Sequence, residues 1–145
     1  MAKRIKAENP LKLGVIVIEL TSSMTAVLLV EDYEVLRDLF ARILKQEHEC
    51  CAVNSAEEAM ELLSRRDFNV IIADISLPKM NGVELLKYVR RKYPALPVIM
   101  MSGGNASLRP EDFKRLGAIC YLEKPFPLGD LIDSVKRALS PHGPG

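Results

Sequence analysis

The sequence predicts an α/β fold, a doubly wound parallel sheet, on three observations. From Ala26 onward short apolar runs alternate with segments of helical period. Five such strand and helix units can be counted. Two of the runs, residues 69–75 and 97–102, are apolar on both faces, as strands covered by helices on each side must be. These two are expected at the sheet centre.

The strands predicted in order are residues 26–30, 50–54, 69–75, 97–102 and 118–122. Between the first two, a helix over 34–46 carries Leu36, Leu39, Phe40, Ile43 and Leu44 at spacings of three and four, an apolar stripe expected to face the sheet. The second helix starts at Ser55, where Glu58 three residues on completes a capping box, and buries Ala59, Leu62 and Leu63. Asn81-Gly82 opens the third, with Val83, Leu86 and Val89 inward; it ends before Pro94, because a residue preceding proline resists helical geometry. The fourth helix starts at Pro110, which clashes inside a helix but fits its first turn, and ends near Leu116 with Gly117 as its cap, leaving 103–109 as loop. The last spans 128–139 with Leu131, Ile132, Val135 and Leu139 on one face.

Composition agrees with one folded domain. The 145 residues are 48% hydrophobic and 27% charged with a formal net charge of +1, and a chain this long buries about two thirds of its unfolded surface without needing metals or disulfides. No basic stripe or block of like charge is present, which argues against a direct nucleic-acid partner. Cys50, Cys51 and Cys120 are odd in number and show neither C-x-x-C nor zinc-type spacing, so they read as reduced core residues in a cytoplasmic protein. The basic start followed by the apolar run 13–20 imitates a signal peptide. Glu19 interrupts that run, it falls far below the ~20 residues that span a bilayer, and no small-x-small cleavage site follows closely, so neither secretion nor a membrane anchor is expected.

In an open parallel sheet ligands bind beyond the carboxyl ends of the strands. Glu31 and Asp32 follow the first strand, Asp74 lies near the end of the third, Ser102 ends the fourth and Lys124 follows the fifth. Taken singly most are bland. The first two serve equally well as charges at a helix N-terminus, Ser102 before Gly103-Gly104 as a turn former, and Lys124-Pro125 as an exposed lysine and a strand terminator. Asp74 is different, because a carboxylate among Val70, Ile71, Ile72 and Ile75 needs a partner or a shifted pKa. Three carboxylates on one rim repel unless a cation joins them, and hard oxygen ligands suit Mg²⁺, with Mn²⁺ as a substitute. Such a cation, a lysine and a hydroxyl around a central carboxylate can orient a phosphoryl group passing in line to Asp74 as nucleophile.

With these residues in place, the chain resembles the receiver domain of bacterial two-component response regulators, over about residues 25–139. The resemblance rests on VLLVEDY at 27–33, DISLPKMNG at 74–82, VIMMSGG at 98–104 and YLEKPF at 121–126. It implies a flavodoxin-like three-layer α/β/α fold, five parallel strands in order 2-1-3-4-5 and five helices. It also implies Asp74 as phosphoacceptor, Asp32 as direct Mg²⁺ ligand, Glu31 acting mainly through water, and the backbone carbonyl of Ser76 completing the protein ligands. Ser102 and Lys124 would contact the phosphoryl oxygens, and the Lys124-Pro125 peptide is typically cis. Tyr121 matches the switch aromatic, which turns inward as the Ser102 hydroxyl moves; by itself it reads as a half-buried strand tyrosine. By the same resemblance, Ser76 and Gly104 fall at positions expected to tune access of hydrolytic water. The donor would be a histidine kinase or phosphotransfer protein, and a downstream target would read the face of the fourth helix, fifth strand and fifth helix, with dimerisation also open.

Two departures stand out. Pro110 falls inside what is normally the fourth helix, which puts the usual partner surface in doubt, and Met24 sits where a stand-alone receiver normally starts. Residues 25–140 are therefore taken as the domain, 141–145 as a flexible tail and 1–24 as an extension reflecting an alternative start or an added leader, disordered or an extra strand. No output domain is expected after the last helix, so the chain reads as a single-domain regulator or a receiver from a longer protein, not an enzyme beyond its own phosphorylation and dephosphorylation. Two other readings fit these residues less well. A phosphohydrolase with an aspartyl-phosphate intermediate is disfavoured because Ser76 stands where such enzymes place a second Asp, and a phosphorylation-independent binding module is disfavoured by the intact acidic, hydroxyl and lysine positions.

Overall fold

The computed structural model describes residues 24–104 and 107–140; the expectations for an extension over 1–23 and for the tail lie outside these. The elements are β1 (Ala26–Val30), α1 (Glu34–Leu44), β2 (Glu49–Val53), α2 (Ala56–Leu63), β3 (Val70–Asp74), α3 (Gly82–Lys92), β4 (Val98–Ser102), α4 (Pro110–Arg115), β5 (Cys120–Glu123) and α5 (Leu128–Ala138). All strand pairs are parallel and the order is β2-β1-β3-β4-β5, the predicted topology. The interior strands β1, β3 and β4 are buried along their whole length.

Two apolar layers flank the sheet because successive strand residues point to opposite faces. Leu28, Val30, Ile71, Ala73 and Met100 pack with Ala56, Ala59 and Leu63 of α2, Leu85, Leu86 and Val89 of α3, and Phe113 of α4. Val27, Leu29, Val70, Ile72, Ile99 and Met101 pack on the other face with Phe40, Ala41 and Leu44 of α1 and Leu131 and Val135 of α5. Among the described residues no helix is long and apolar enough to cross a membrane.

Several local expectations shift. The face α1 turns to the sheet is centred on Phe40, Ala41 and Leu44, so that at about 100° per residue Leu39 falls on the flank and is 38% exposed. In α3, Leu85 is buried beside Leu86 and Val89 whereas Val83 is half-buried. The complete capping box is at α3, where Asn81 Oδ1 accepts from Glu84 N–H (2.9 Å) and Glu84 Oε1 accepts from Asn81 N–H (3.0 Å). At α2 the Ser55 hydroxyl accepts from Glu58 N–H, but the Glu58 carboxylate reaches back one residue further, to Asn54 N–H. The three cysteines are free thiols, yet of them Cys50 alone is buried, and burial pushes its thiol up to about 11; Cys51 and Cys120 are half-buried.

Candidate functional site

The carboxyl ends of β1, β3, β4 and β5 share one edge of the sheet, and the side chains singled out in the sequence stand there. The register sets Ala73 opposite Val30 and Met101 opposite Asp74, so the acids after β1 and at the end of β3 come together, with Ser102 one residue further along β4. Oxygens of Glu31, Asp32 and Asp74 lie within 4.8 Å of one another. Glu31 is completely buried and Asp74 is 5% exposed, whereas Asp32 is open to solvent.

Lys124 closes the ring from the end of the outer strand β5. Its Nζ donates to Glu31 Oε1 at 2.7 Å and to Asp74 Oδ2 at 3.1 Å. The Lys124-Pro125 peptide is cis, and Lys124 N–H donates to the carbonyl of Ser102 at 2.7 Å, which ties the lysine to the end of β4. Burial raises the pKa of Glu31, opposed by the Lys124 hydrogen bond and by the Tyr33 amide. Burial also pulls the Lys124 ammonium downward, but the Glu31 hydrogen bond and the charges of Asp74 and Glu31 outweigh it and its pKa is raised.

The donor set suits a divalent cation. Three carboxylates face one ammonium, and the two that Lys124 engages are the buried ones. The Asp32 carboxylate has no ion-pair partner among the described residues, and Asp74 Oδ1 has only a long contact, 3.4 Å from Ser76 N–H. Free carboxylate oxygens are hard ligands of the kind that hold Mg²⁺ or Mn²⁺.

The remaining predicted positions are spread around this centre. Ser102 is 2% exposed and its Oγ accepts from Gly104 N–H at 3.2 Å. Gly104 has φ +86°, a left-handed conformation that favours glycine, while the nearest neighbour of a Cβ there would be the movable end of the exposed Glu123 side chain. Ser76 is exposed beside Asp74. Tyr121 is half-buried and stacks on Phe113, with ring centroids 4.8 Å apart and planes at 9°.

Gly82 is a further requirement. A Cβ at this position would lie 2.2 Å from the Asp74 carbonyl oxygen, so α3 seats its first residue against the backbone that carries the central carboxylate. Two contributors escaped the sequence reading. Phe113 was legible only as a helix residue, and Arg37, whose Nη1 donates to the carbonyls of Glu31 (3.1 Å) and Asp32 (3.3 Å), carries no motif signal.

The response regulator receiver domain family matches residues 27–136. The response regulator protein FleR of Pseudomonas aeruginosa is 42% identical over 120 residues, covering 82% of this chain and 25% of FleR. The hydrogenase transcriptional regulatory protein HoxA of Cupriavidus necator is 34% identical over 128 residues, covering 86% of this chain and 26% of HoxA. The chain thus spans about a quarter of the length of these curated relatives. Among solved structures, the receiver domain of NtrX from Brucella abortus is 34% identical with a TM-score of 0.73, covering 78% of this chain and 97% of that one.

Proposed function

The chain belongs to the response regulator receiver family, and from that premise we propose that it accepts a phosphoryl group on Asp74 from a histidine kinase or histidine phosphotransfer protein and changes its partner binding as a result. The observation that carries this reading is the convergence of Glu31, Asp32 and Asp74 within 4.8 Å, with the Lys124 ammonium on two of them.

An Asp74 carboxylate oxygen attacks phosphorus in line, and the phosphorus–nitrogen bond of the donor phosphohistidine breaks with its electron pair leaving on the imidazole. Glu31, Asp32, Asp74 and the Ser76 carbonyl are the groups that would hold Mg²⁺, which supplies charge neutralisation to the phosphoryl oxygens when bound. Lys124, whose ammonium lies on Asp74 Oδ2, presents a positive charge to the same oxygens. The buried Ser102 hydroxyl reorients toward the new phosphoryl group and exchanges its contact with the Gly104 amide for it. Tyr121, next on the path, transmits that change to α4, and the α4–β5–α5 face presents the altered surface to a target. Residues 25–140 form the functional unit, in the cytoplasm.

Intact-protein mass after exposure to acetyl phosphate tests this. One added phosphoryl group that requires Mg²⁺ and is absent in Asp74→Asn is expected; an unchanged level of uptake in Asp74→Asn would overturn the choice of nucleophile.

A further inference from the structure

We infer that Arg37 is the positioning residue of the acidic turn: its guanidinium holds the backbone of Glu31 and Asp32 so that their carboxylates converge with Asp74 on one divalent cation. This rests on the phosphoacceptor reading and adds to it the group that keeps two of its metal-binding side chains in place.

Three residues, Glu31 to Tyr33, join β1 to α1, and two of them carry the carboxylates. No side-chain cap closes this turn, since Tyr33 at the N-cap makes none. Glu31 is tied to the sheet by its N–H to the Val53 carbonyl (3.0 Å) and to Lys124 by its carboxylate, and two further contacts within the segment hold the turn. Glu31 Oε2 accepts from Tyr33 N–H at 3.0 Å, and Arg37 Nη1 reaches back one helical turn to the carbonyls of Glu31 and Asp32. The backbone from which this side chain springs is anchored, because the Arg37 main-chain N–H donates to the Tyr33 carbonyl at 2.9 Å in the first turn of α1.

The choice of acceptors is informative. By charge alone a guanidinium on the turn that carries two carboxylates would pair with one of them. Arg37 instead bonds two main-chain oxygens and makes no ion pair among the described residues. Its charge and its hydrogen bonds therefore push cation affinity in opposite directions. Removing the charge alone would tighten binding of a cation by relieving repulsion. Removing the hydrogen bonds frees the turn and scatters the carboxylates, which weakens binding, and loss of an outer contact that orients metal ligands typically costs 10–100-fold in affinity.

The test is the affinity of the full chain for Mn²⁺, read from the paramagnetic resonance of the free ion, in the unmodified protein, Arg37→Met and Arg37→Lys. Arg37→Met keeps the aliphatic stem but neither charge nor donor, and about tenfold weaker binding is expected, with part of the affinity restored in Arg37→Lys, which keeps a donor. Amide exchange without metal should be faster at Asp32 and Tyr33 in Arg37→Met while the β1 amides stay protected. Binding by Arg37→Met as tight as, or tighter than, the unmodified chain would overturn the inference and leave the charge effect alone. Faster exchange throughout the molecule would overturn it in favour of a global structural role. Absence of Mn²⁺ binding by the unmodified chain would overturn the metal-site reading and this inference with it, whereas Mn²⁺ binding with no Arg37 dependence would remove only the latter.

Discussion

The helices α3 and α4 follow neighbouring strands and pack on the same face of the sheet, yet they are fastened very differently. α3 has eleven residues, a closed capping box at Asn81, and Gly82, Leu85, Leu86 and Val89 buried. α4 has six residues, begins at Pro110, and is anchored by one buried side chain, Phe113, whose ring lies on Tyr121. Its start is supported by the Asp112 carboxylate accepting from Arg109 N–H at 2.9 Å. Asp74 precedes α3, and Ser102 precedes α4. The half of the rim that holds the central carboxylate is thus built on a rigid frame. On the other half the hydroxyl ends buried β4 and the aromatic stands on β5, but the helix between them has Phe113 as its one buried side chain, with Leu108 and Leu116 half-buried at its flanks. A weakly fastened segment of that kind is where a response to a ligand is cheapest to produce.

The largest effect should come from Phe113→Ala. A buried Phe replaced by Ala costs about 3–5 kcal/mol, and here it also removes the partner of Tyr121. Urea unfolding combined with amide exchange is expected to show α4 opening while α3 stays protected; a loss under about 1 kcal/mol would mean that α4 is held by more than this ring. Gly82→Ala comes next. Its Cβ would meet the Asp74 carbonyl oxygen, and forced overpacking of this kind costs about 1–3 kcal/mol. A neutral result in chemical denaturation would show that α3 can slide away from β3 and is less firmly seated than α4 is loose.

Smaller changes sharpen the contrast. Asn81→Ala removes the side-chain acceptor of the α3 capping box, and a loss of about 1 kcal/mol is expected in the same assay. The loop between β3 and α3 also contains Lys79 at φ +59°, a left-handed conformation that disfavours side chains. Lys79→Gly should raise stability by about 0.5 kcal/mol, the left-handed strain relieved exceeding the chain entropy that glycine adds to the unfolded state. A fall in thermal midpoint would show that the Lys79 side chain contributes packing beyond its backbone geometry.

Much of this arrangement was legible in the chain itself, for identifiable reasons. Strand positions followed from apolar runs, and helix starts at Ser55, Asn81 and Pro110 from residues whose local chemistry leaves few alternatives. The rim followed because parallel topology brings the ends of β1, β3, β4 and β5 together wherever they lie in sequence. What escaped depends on tertiary neighbours. β2 starts at Glu49, one residue early, because Glu49 N–H pairs with the Thr25 carbonyl across the sheet. β5 starts at Cys120, two residues later than predicted, although Ile119 N–H already bonds the Val98 carbonyl. Leu39 belongs to an apolar stripe by spacing, but the small Ala41 lets the opposite flank of α1 approach the sheet. In the site, acids and lysine carry type and spacing signals, while an arginine that bonds main-chain oxygens, or a phenylalanine that stacks on a tyrosine eight residues on, has none.

The most direct measurement is residue-resolved amide exchange of the full chain with Mg²⁺, with and without beryllofluoride as a phosphoryl mimic. Exchange should change at residues 107–121, through α4 and the start of β5, while α3 stays constant, and Asp74→Asn should show no change. Bound beryllofluoride that leaves α4 unaltered, or that alters α3 as much as α4, would contradict a phosphoryl signal received on a rigid half and passed to a loosely fastened one.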